Sequence, residues 1–201
     1  MTDVVSCPGS AAADKSRHIP GEVGLWIFIF GDLMIFAILF GVYLHRRGAE
    51  PGLFGQSQDT LNRNYGAVNT LVLLASSMLV VLAWRSLNPV VHERLAPRFI
   101  LGALGCGLVF TGIKVAEYLE LIHEGLTPAT NSFYMYYFVL TGLHLFHLLL
   151  GMGVLAVMWS IARKSTRTVG QRSVFEGGAC LWHMVDLLWI VIFPLIFLVR
   201  S

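Results

Sequence analysis

The stretch LWIFIFGDLMIFAILFGVYLH, residues 25–45, decides the fold class of this 201-residue chain. Apolar residues fill it almost without interruption, and Asp32 is the one acidic residue inside it. A helix of this length rises about 30 Å, which is the thickness of the hydrocarbon core of a bilayer. The stretch therefore predicts a transmembrane helix.

Four further stretches have the same length and apolar character, at residues 67–87, 99–122, 134–161 and 177–199. Glycines, prolines and a basic segment separate the five, and Pro194 inside the last is expected to kink it. The sequence thus predicts an all-α, polytopic membrane protein. Residues 21–201 would form a five-helix transmembrane domain, and residues 1–20 a polar cytoplasmic tail.

The overall composition excludes other classes of protein. Hydrophobic residues make up 56% of the chain and charged residues 13%, about half the charged share of a soluble domain. The net charge of +2 is too small to indicate nucleic-acid binding. The three cysteines are far apart and lack metal-ligand spacing, so neither a disulfide framework nor a zinc site is predicted.

The distribution of basic residues predicts the orientation in the membrane. Nine of the 14 Lys and Arg residues lie in the tail, the second loop and the fourth loop, whereas four lie on the other side. Basic residues accumulate in cytoplasmic loops. We therefore expect a cytoplasmic N-terminus and a C-terminus outside.

Ionisable residues inside the spans are the candidate functional residues, because each is costly in hydrocarbon and needs a partner or a role. Helix rise places them in two layers, of which the inner holds Asp32, His183 and Asp186. The outer layer holds Lys114, Glu117, His144 and His147. In the outer layer, an ion pair with histidine hydrogen bonds would satisfy all four groups.

In the inner layer, His183 and Asp186 share a helix face and are expected to pair, with Asp32 nearby. Two carboxylates beside one histidine do not both ionise cheaply, so we expect at least one neutral acid, first of all Asp32. A structural polar network is favoured over proton transfer for His144, His147, His183 and Glu117. For Asp32 both interpretations remain open.

Two other functions are compatible with these residues. Histidines 144, 147 and 183 are candidate ligands for iron or haem, although no Glu-x-x-His motif occurs in the spans. A proton-coupled carrier would use Asp32, Glu117 and Asp186. Five spans without a visible repeat weigh against a self-contained carrier.

Several motifs occur in one order along the five spans: FGDLMIF (30–36), NT (69–70), LASS (74–77), AEY (116–118), TGLHLFH (141–147), FE (175–176) and WHMVDLLW (182–189). In this order they resemble subunit III of the haem–copper oxidases. The resemblance implies a non-catalytic chain without haem or metal of its own. It also implies a haem-bearing catalytic partner subunit, contact with phospholipids, and Glu176 as a further candidate polar position.

Two segments indicate a branch of that family. PGEVGLW (20–26) and QSQDTLN (56–62) resemble the subunit III-related accessory protein encoded with nitric oxide reductases. Asp32 stands where many cytochrome c oxidase members have a carbodiimide-reactive Glu, and its side chain is shorter by one methylene. The resemblance implies a chain of the bacterial inner membrane that supports the stability, assembly, or proton and lipid environment of a catalytic subunit. Whether that subunit reduces oxygen or nitric oxide is left open.

Overall fold

The computed structural model describes residues 23–87, 95–164 and 168–199, so the predicted tail, 1–20, lies outside the described residues. These ranges contain helices and connecting turns but no strand. The helices are α1 Val23–Ala49, α2 Pro51–Asp59, α3 Arg63–Ser86, α4 Ala96–His123, α5 Ser132–Ala162 and α6 Val169–Phe193. A π-helical segment, Pro194–Leu198, follows α6 directly.

Five of these helices are long and apolar enough to cross a bilayer, which confirms the predicted spans. They are α1, α3, α4, α5 and α6 continued by the π-helical segment. The all-α fold class and the five-span architecture are therefore confirmed. The orientation relative to the cytoplasm remains a prediction.

Four helices form a closed ring, and the fifth lies outside it. Helix α3 packs against α4, α4 against α5, α5 against α6, and α6 back against α3. Helix α1 contacts mainly α5 and α6 along a narrow stripe that includes Ile29, Asp32, Phe36 and Tyr43. Most of its surface, such as Met34 at 68% exposure, faces outward. The interior polar groups therefore belong to the four-helix ring, with α1 adding Asp32 from one side.

A buried indole and two glycines set the spacing at the centre of the ring. Trp182 of α6 is fully buried, and a Cβ added at Gly151 of α5 would lie 2.9 Å from its Cε3 atom. A Cβ at Gly107 of α4 would lie 3.3 Å from its Cη2 atom. Small residues let the three backbones approach closely around the large ring, as is common between membrane helices.

Helix ends differ from the predicted spans where polar residues continue a helix. Helix α6 begins at Val169, well before residue 177, because Thr168 and Gln171 form a capping box that supports a polar first turn. Helix α2 was not predicted. Pro51 was interpreted as a breaker, but proline in the first turn of a helix costs no hydrogen bond. At Pro194, where a kink was expected, the helix passes into the π-helical segment.

Candidate functional site

The ionisable residues singled out from the sequence lie mostly inside the bundle. Asp32, Lys114, Glu117, His144, His147 and Asp186 are buried, whereas Glu176 and His183 are partly exposed. They form separate groups at different helix contacts.

Lys114 and Glu117 form a buried ion pair on α4, as the sequence predicts. Lys114 Nζ lies 2.9 Å from Glu117 Oε2, and both side chains are almost fully buried. Tyr137 of α5 donates to Glu117 Oε1 at 2.7 Å and accepts from Lys114 Nζ at 3.2 Å. Both carboxylate oxygens are therefore bonded. We call these three residues the Lys114 cluster.

Aromatic rings complete the surroundings of the ammonium group. Lys114 Nζ lies 5.0 Å from the ring centroids of Tyr137 and Trp189, and 5.5 Å from that of Phe197. The negative faces of such rings attract a desolvated cation. The sequence predicted histidine hydrogen bonds to this ion pair, whereas Tyr137 makes them. The histidines bond elsewhere because their side chains leave α5 toward other helices.

A small cavity connects the Lys114 cluster with the end of the bundle that carries α2. It has a volume of about 30 Å³ and is lined by Glu117 together with polar residues of α3, α4 and the turn before α3, including Asn62, Tyr65, Glu120 and Glu124. That volume is enough for about one water molecule. The Glu117 carboxylate is thus the member of the cluster nearest to solvent.

Asp32 of α1 and His147 of α5 form the second group. Asp32 Oδ1 lies 3.0 Å from His147 Nε2, and both side chains are mostly buried. His147 Nδ1 lies 2.8 Å from the carbonyl oxygen of Leu143. A carbonyl only accepts, so Nδ1 carries a proton. One further proton is then shared between Nε2 and the carboxyl, and the pair is neutral overall whichever atom holds it.

The predicted two-layer arrangement is wrong for this pair. Helix-rise arithmetic put Asp32 in the inner layer with His183 and Asp186, and His147 in the outer layer. The structure joins Asp32 to His147 instead. The arithmetic treats the helices as upright with their ends level, and an offset of a few residues between α1 and α5 removes the separation.

His144 bonds to the backbone of a neighbouring helix. Its Nε2 atom donates to the carbonyl oxygen of Val185 at 3.1 Å, and its ring packs beside Phe110 and Trp189. Nδ1 is buried without a hydrogen-bond partner among the described residues. His144 therefore joins α5 to α6 but is not bonded to the Lys114 cluster, contrary to expectation.

Three side-chain hydrogen bonds run along the contact between α3 and α6. Each joins a hydroxyl of α3 to a ring nitrogen of α6, and the pairs are Ser76–Trp182 at 3.1 Å, Ser77–His183 at 2.7 Å and Thr70–Trp189 at 3.1 Å. Such bonds hold two helices in one register, since a shift along the axis would break all three. The threonine of the Asn-Thr motif and both serines of the Ser-Ser motif of α3 thus meet the WHMVDLLW motif of α6.

Asp186 is buried in the same region but is not bonded to His183. Neither Asp186 oxygen has a hydrogen-bond partner among the described residues. The predicted pairing of His183 with Asp186 is therefore wrong. Three-residue spacing puts both on one face of α6, but the Ser77 hydroxyl is what His183 contacts. Glu176 makes no hydrogen bond or ion pair with any described residue.

The histidines do not converge on a common point. Within 23–87, 95–164 and 168–199, no group of three or more His, Cys, Asp or Glu side chains is arranged to hold a metal ion. His144, His147 and His183 instead contact Val185, Asp32 and Ser77. The fold and its interior define a polytopic helical membrane protein whose buried polar side chains mostly bond side chains or backbone carbonyls of other helices.

The chain belongs to the cytochrome c oxidase subunit III family, whose sequence model matches residues 17–201. This confirms the resemblance predicted from the ordered motifs. The match includes all five spans.

Curated relatives cover nearly the whole chain. Cytochrome bo(3) ubiquinol oxidase subunit 3 of Buchnera aphidicola subsp. Acyrthosiphon pisum is 29% identical over 195 residues, covering 94% of this chain and 91% of that protein. Cytochrome c oxidase subunit 3 of Bacillus sp. strain PS3 is 28% identical over 195 residues, with coverage of 94% and 91%. A probable cytochrome c oxidase subunit 3 of Nocardia farcinica is 28% identical over 204 residues, and the match spans both chains completely.

Proposed function

We propose that this chain is a non-catalytic membrane subunit or accessory protein of a haem–copper respiratory complex. The observation that carries the proposal is the match to subunit III over residues 17–201. The interior geometry agrees with it, because the Lys114 cluster and the Asp32–His147 pair form neutral polar contacts inside the bundle. The reduction of oxygen or nitric oxide would belong to a haem- and metal-bearing partner subunit.

The finer proposal concerns the branch and the location. The segments PGEVGLW (20–26) and QSQDTLN (56–62) favour the accessory branch encoded with nitric oxide reductases. The relatives named above are subunits of ubiquinol and cytochrome c oxidases, so a terminal oxidase is the alternative partner. All three come from bacteria, which supports a place in the bacterial inner membrane.

A phospholipid partner is also proposed. An apolar cavity of about 290 Å³ lies between the first turns of α1 and α6 and the last part of α5, and Leu25, Val154, Gly177, Gly178 and Leu181 line it. Its size suits part of an acyl chain better than a polar metabolite. Exchange of lipid there would change the environment of α1, the helix that carries Asp32.

Affinity purification from native membranes in mild detergent tests the proposed function. A tag on the chain is expected to bring down a haem-bearing catalytic subunit, whose identity follows from the protein bands and the optical spectrum. Consumption of nitric oxide or of oxygen by the purified complex then distinguishes the two branches. A folded, monodisperse chain that captures no haem protein would refute the proposal.

The carrier function makes a different prediction for the chain alone. A proton-coupled carrier would acidify or alkalinise the interior of liposomes without a partner, and we expect no such transport. The buried acids of the Lys114 cluster and of the Asp32–His147 pair are both bonded to basic side chains, which suits fixed contacts better than repeated release of a proton.

A further inference from the structure

One polar group stands out on the membrane-facing surface of the bundle. His183 lies near the middle of the span Gly170–Leu198, about 20 Å from either end at 1.5 Å per residue. It is partly exposed, and its Nδ1 atom is bonded to Ser77, which is also partly exposed. No described residue bonds Nε2. An imidazole nitrogen is thus presented at the depth where hydrocarbon is driest.

Among the described residues, no other outward face carries an acidic, basic or amide side chain at mid-span. Exposed residues there are apolar, for example Met34 on α1, Leu108 on α4 and Phe146 on α5. Those faces suit lipid tails. An unbonded polar atom in hydrocarbon costs several kcal/mol on water-to-cyclohexane scales, so His183 distinguishes its face from the rest.

The hydrogen bond to Ser77 leaves His183 with one ring nitrogen for a partner outside the bundle. The Ser77 hydroxyl occupies Nδ1 at 2.7 Å, and either atom of that bond can be the donor. When Nδ1 carries the proton Nε2 is an acceptor, and in the other tautomer Nε2 is a donor. In both tautomers Nε2 has one unused hydrogen-bonding position.

We infer that this face binds a transmembrane helix of the catalytic subunit, and that a side chain of that helix forms a hydrogen bond with His183 Nε2. The inference rests on the proposed function and names the contact surface for it. Around His183 and Ser77 the face is apolar and exposed, formed by Leu74 and Val81 of α3 and Leu187 and Ile190 of α6. A polar centre within an apolar rim is what a helix in a membrane binds with both packing and specificity.

Site-specific photo-crosslinking in the intact complex tests this surface. Leu187→p-benzoylphenylalanine places the probe one turn from His183, and Leu108→p-benzoylphenylalanine is the matched control, because both positions are more than half exposed and α4 lies across the ring from α6. Irradiation of native membranes is expected to join position 187, and not position 108, to the haem-bearing subunit. A crosslink from position 108 alone, or from neither while that subunit still co-purifies, overturns the inference.

Substitution of His183 is the second test of this surface. His183→Leu is expected to lower the amount of co-purified catalytic subunit roughly fivefold, as the loss of one interhelical hydrogen bond would. Because His183→Leu also removes the bond to Ser77, the thermal midpoint of the isolated chain is expected to fall slightly while the chain stays folded, and His183→Gln should restore part of the binding. An unchanged complex with His183→Leu would show that the face contacts lipid.

The outcomes separate this inference from the proposed function. If the unaltered chain captures no haem-bearing subunit, both fall. If the unaltered chain captures a haem-bearing subunit, but position 187 gives no crosslink and His183→Leu does not weaken the complex, the proposed function stands and only the proposed contact surface is wrong. If His183→Leu does not fold, the crosslink from position 187, made with His183 in place, decides.

Discussion

Lys114 shows how a full charge is accommodated in the interior of this bundle. Its ammonium group is bonded to Glu117 and Tyr137 and surrounded by aromatic rings. The attraction between the two charges offsets their desolvation only while both are present. The pair is therefore a fixed structural contact, and removal of one member is worse than removal of both.

Lys114→Met is expected to lower the free energy of unfolding by about 3 kcal/mol or more, because it leaves Glu117 charged and buried without its cation. Thermal unfolding in detergent measures the effect. Arg63→Ala is the control, since the Arg63–Asp59 pair is exposed and such pairs contribute about 1 kcal/mol or less. The double variant Lys114→Met with Glu117→Leu should recover most of the loss. Equal effects of Lys114→Met and Arg63→Ala would contradict this account.

Asp32→Asn is expected to leave folding nearly intact. The neutral pair needs a donor to His147 Nε2, and an asparagine amide supplies one without changing the net charge. His147→Leu should cost about 1–3 kcal/mol more, because Asp32 then loses its hydrogen-bond partner. The yield of monodisperse protein and its thermal midpoint compare the two variants. If Asp32→Asn is as damaging as His147→Leu, the acid is ionised and its charge is required.

At the scale of helices, two kinds of contact hold the elements together. Close backbone approach around Trp182 joins α4, α5 and α6. Where α6 leads into the π-helical segment, side chains of α1 and α2 form hydrogen bonds with the backbone of that segment. Arg47 donates to the carbonyl oxygens of Leu195 and Val199. The last carbonyls of a helix have no following amides as partners, so they are left for such side chains to bond.

Gly151→Ala tests the close approach at Trp182. The added methyl group would lie 2.9 Å from a rigid, fully buried ring, so we expect a loss of about 1–3 kcal/mol in the free energy of unfolding. Gly153→Ala on the same helix is the control, because no atom lies within 4 Å of the new methyl group. It should be neutral or slightly stabilising by helix propensity. A reversed order of the two thermal midpoints would refute the packing argument.

Gln58→Ala tests the side-chain hydrogen bonds that hold the π-helical segment in place. Gln58 Nε2 donates to Ile196 O at 2.8 Å and to Val199 O at 3.1 Å. Its loss is expected to cost about 1–3 kcal/mol locally and to speed hydrogen exchange of the amides in residues 195–199. Gln56→Ala, on the exposed side of the same helix, should leave that exchange unchanged. Equal exchange in both variants would show that Arg47 alone holds the segment.

Over the whole molecule, the five spans were predictable because hydropathy over about twenty residues depends on the chain alone. The Lys114–Glu117 pair was predictable too, since three-residue spacing places both on one helix face. The Asp32–His147 pair was not, because it depends on the offset between α1 and α5. Tyr137 was missed because a tyrosine in an apolar span carries no charge that signals its role.

Helix α1 is the least enclosed of the five spans, yet it carries Asp32. Its main contacts are with α5, α6 and α2, and most of its remaining surface is apolar and exposed. The four-helix ring therefore holds most of the packing, and α1 is the span most open to lipid or to another subunit. Stability of the whole would be raised by the partner, which binds the folded form.

This chain contributes structural contacts to the proposed complex, and the catalytic partner subunit contributes the redox centres. Metal analysis and an absorption spectrum of the chain, separated from its complex under conditions that keep it folded, test this most directly. We predict less than stoichiometric iron and copper and no Soret band on the chain, with both metals and haem following the catalytic subunit. Haem, iron or copper retained by this polypeptide in a one-to-one ratio would contradict the account.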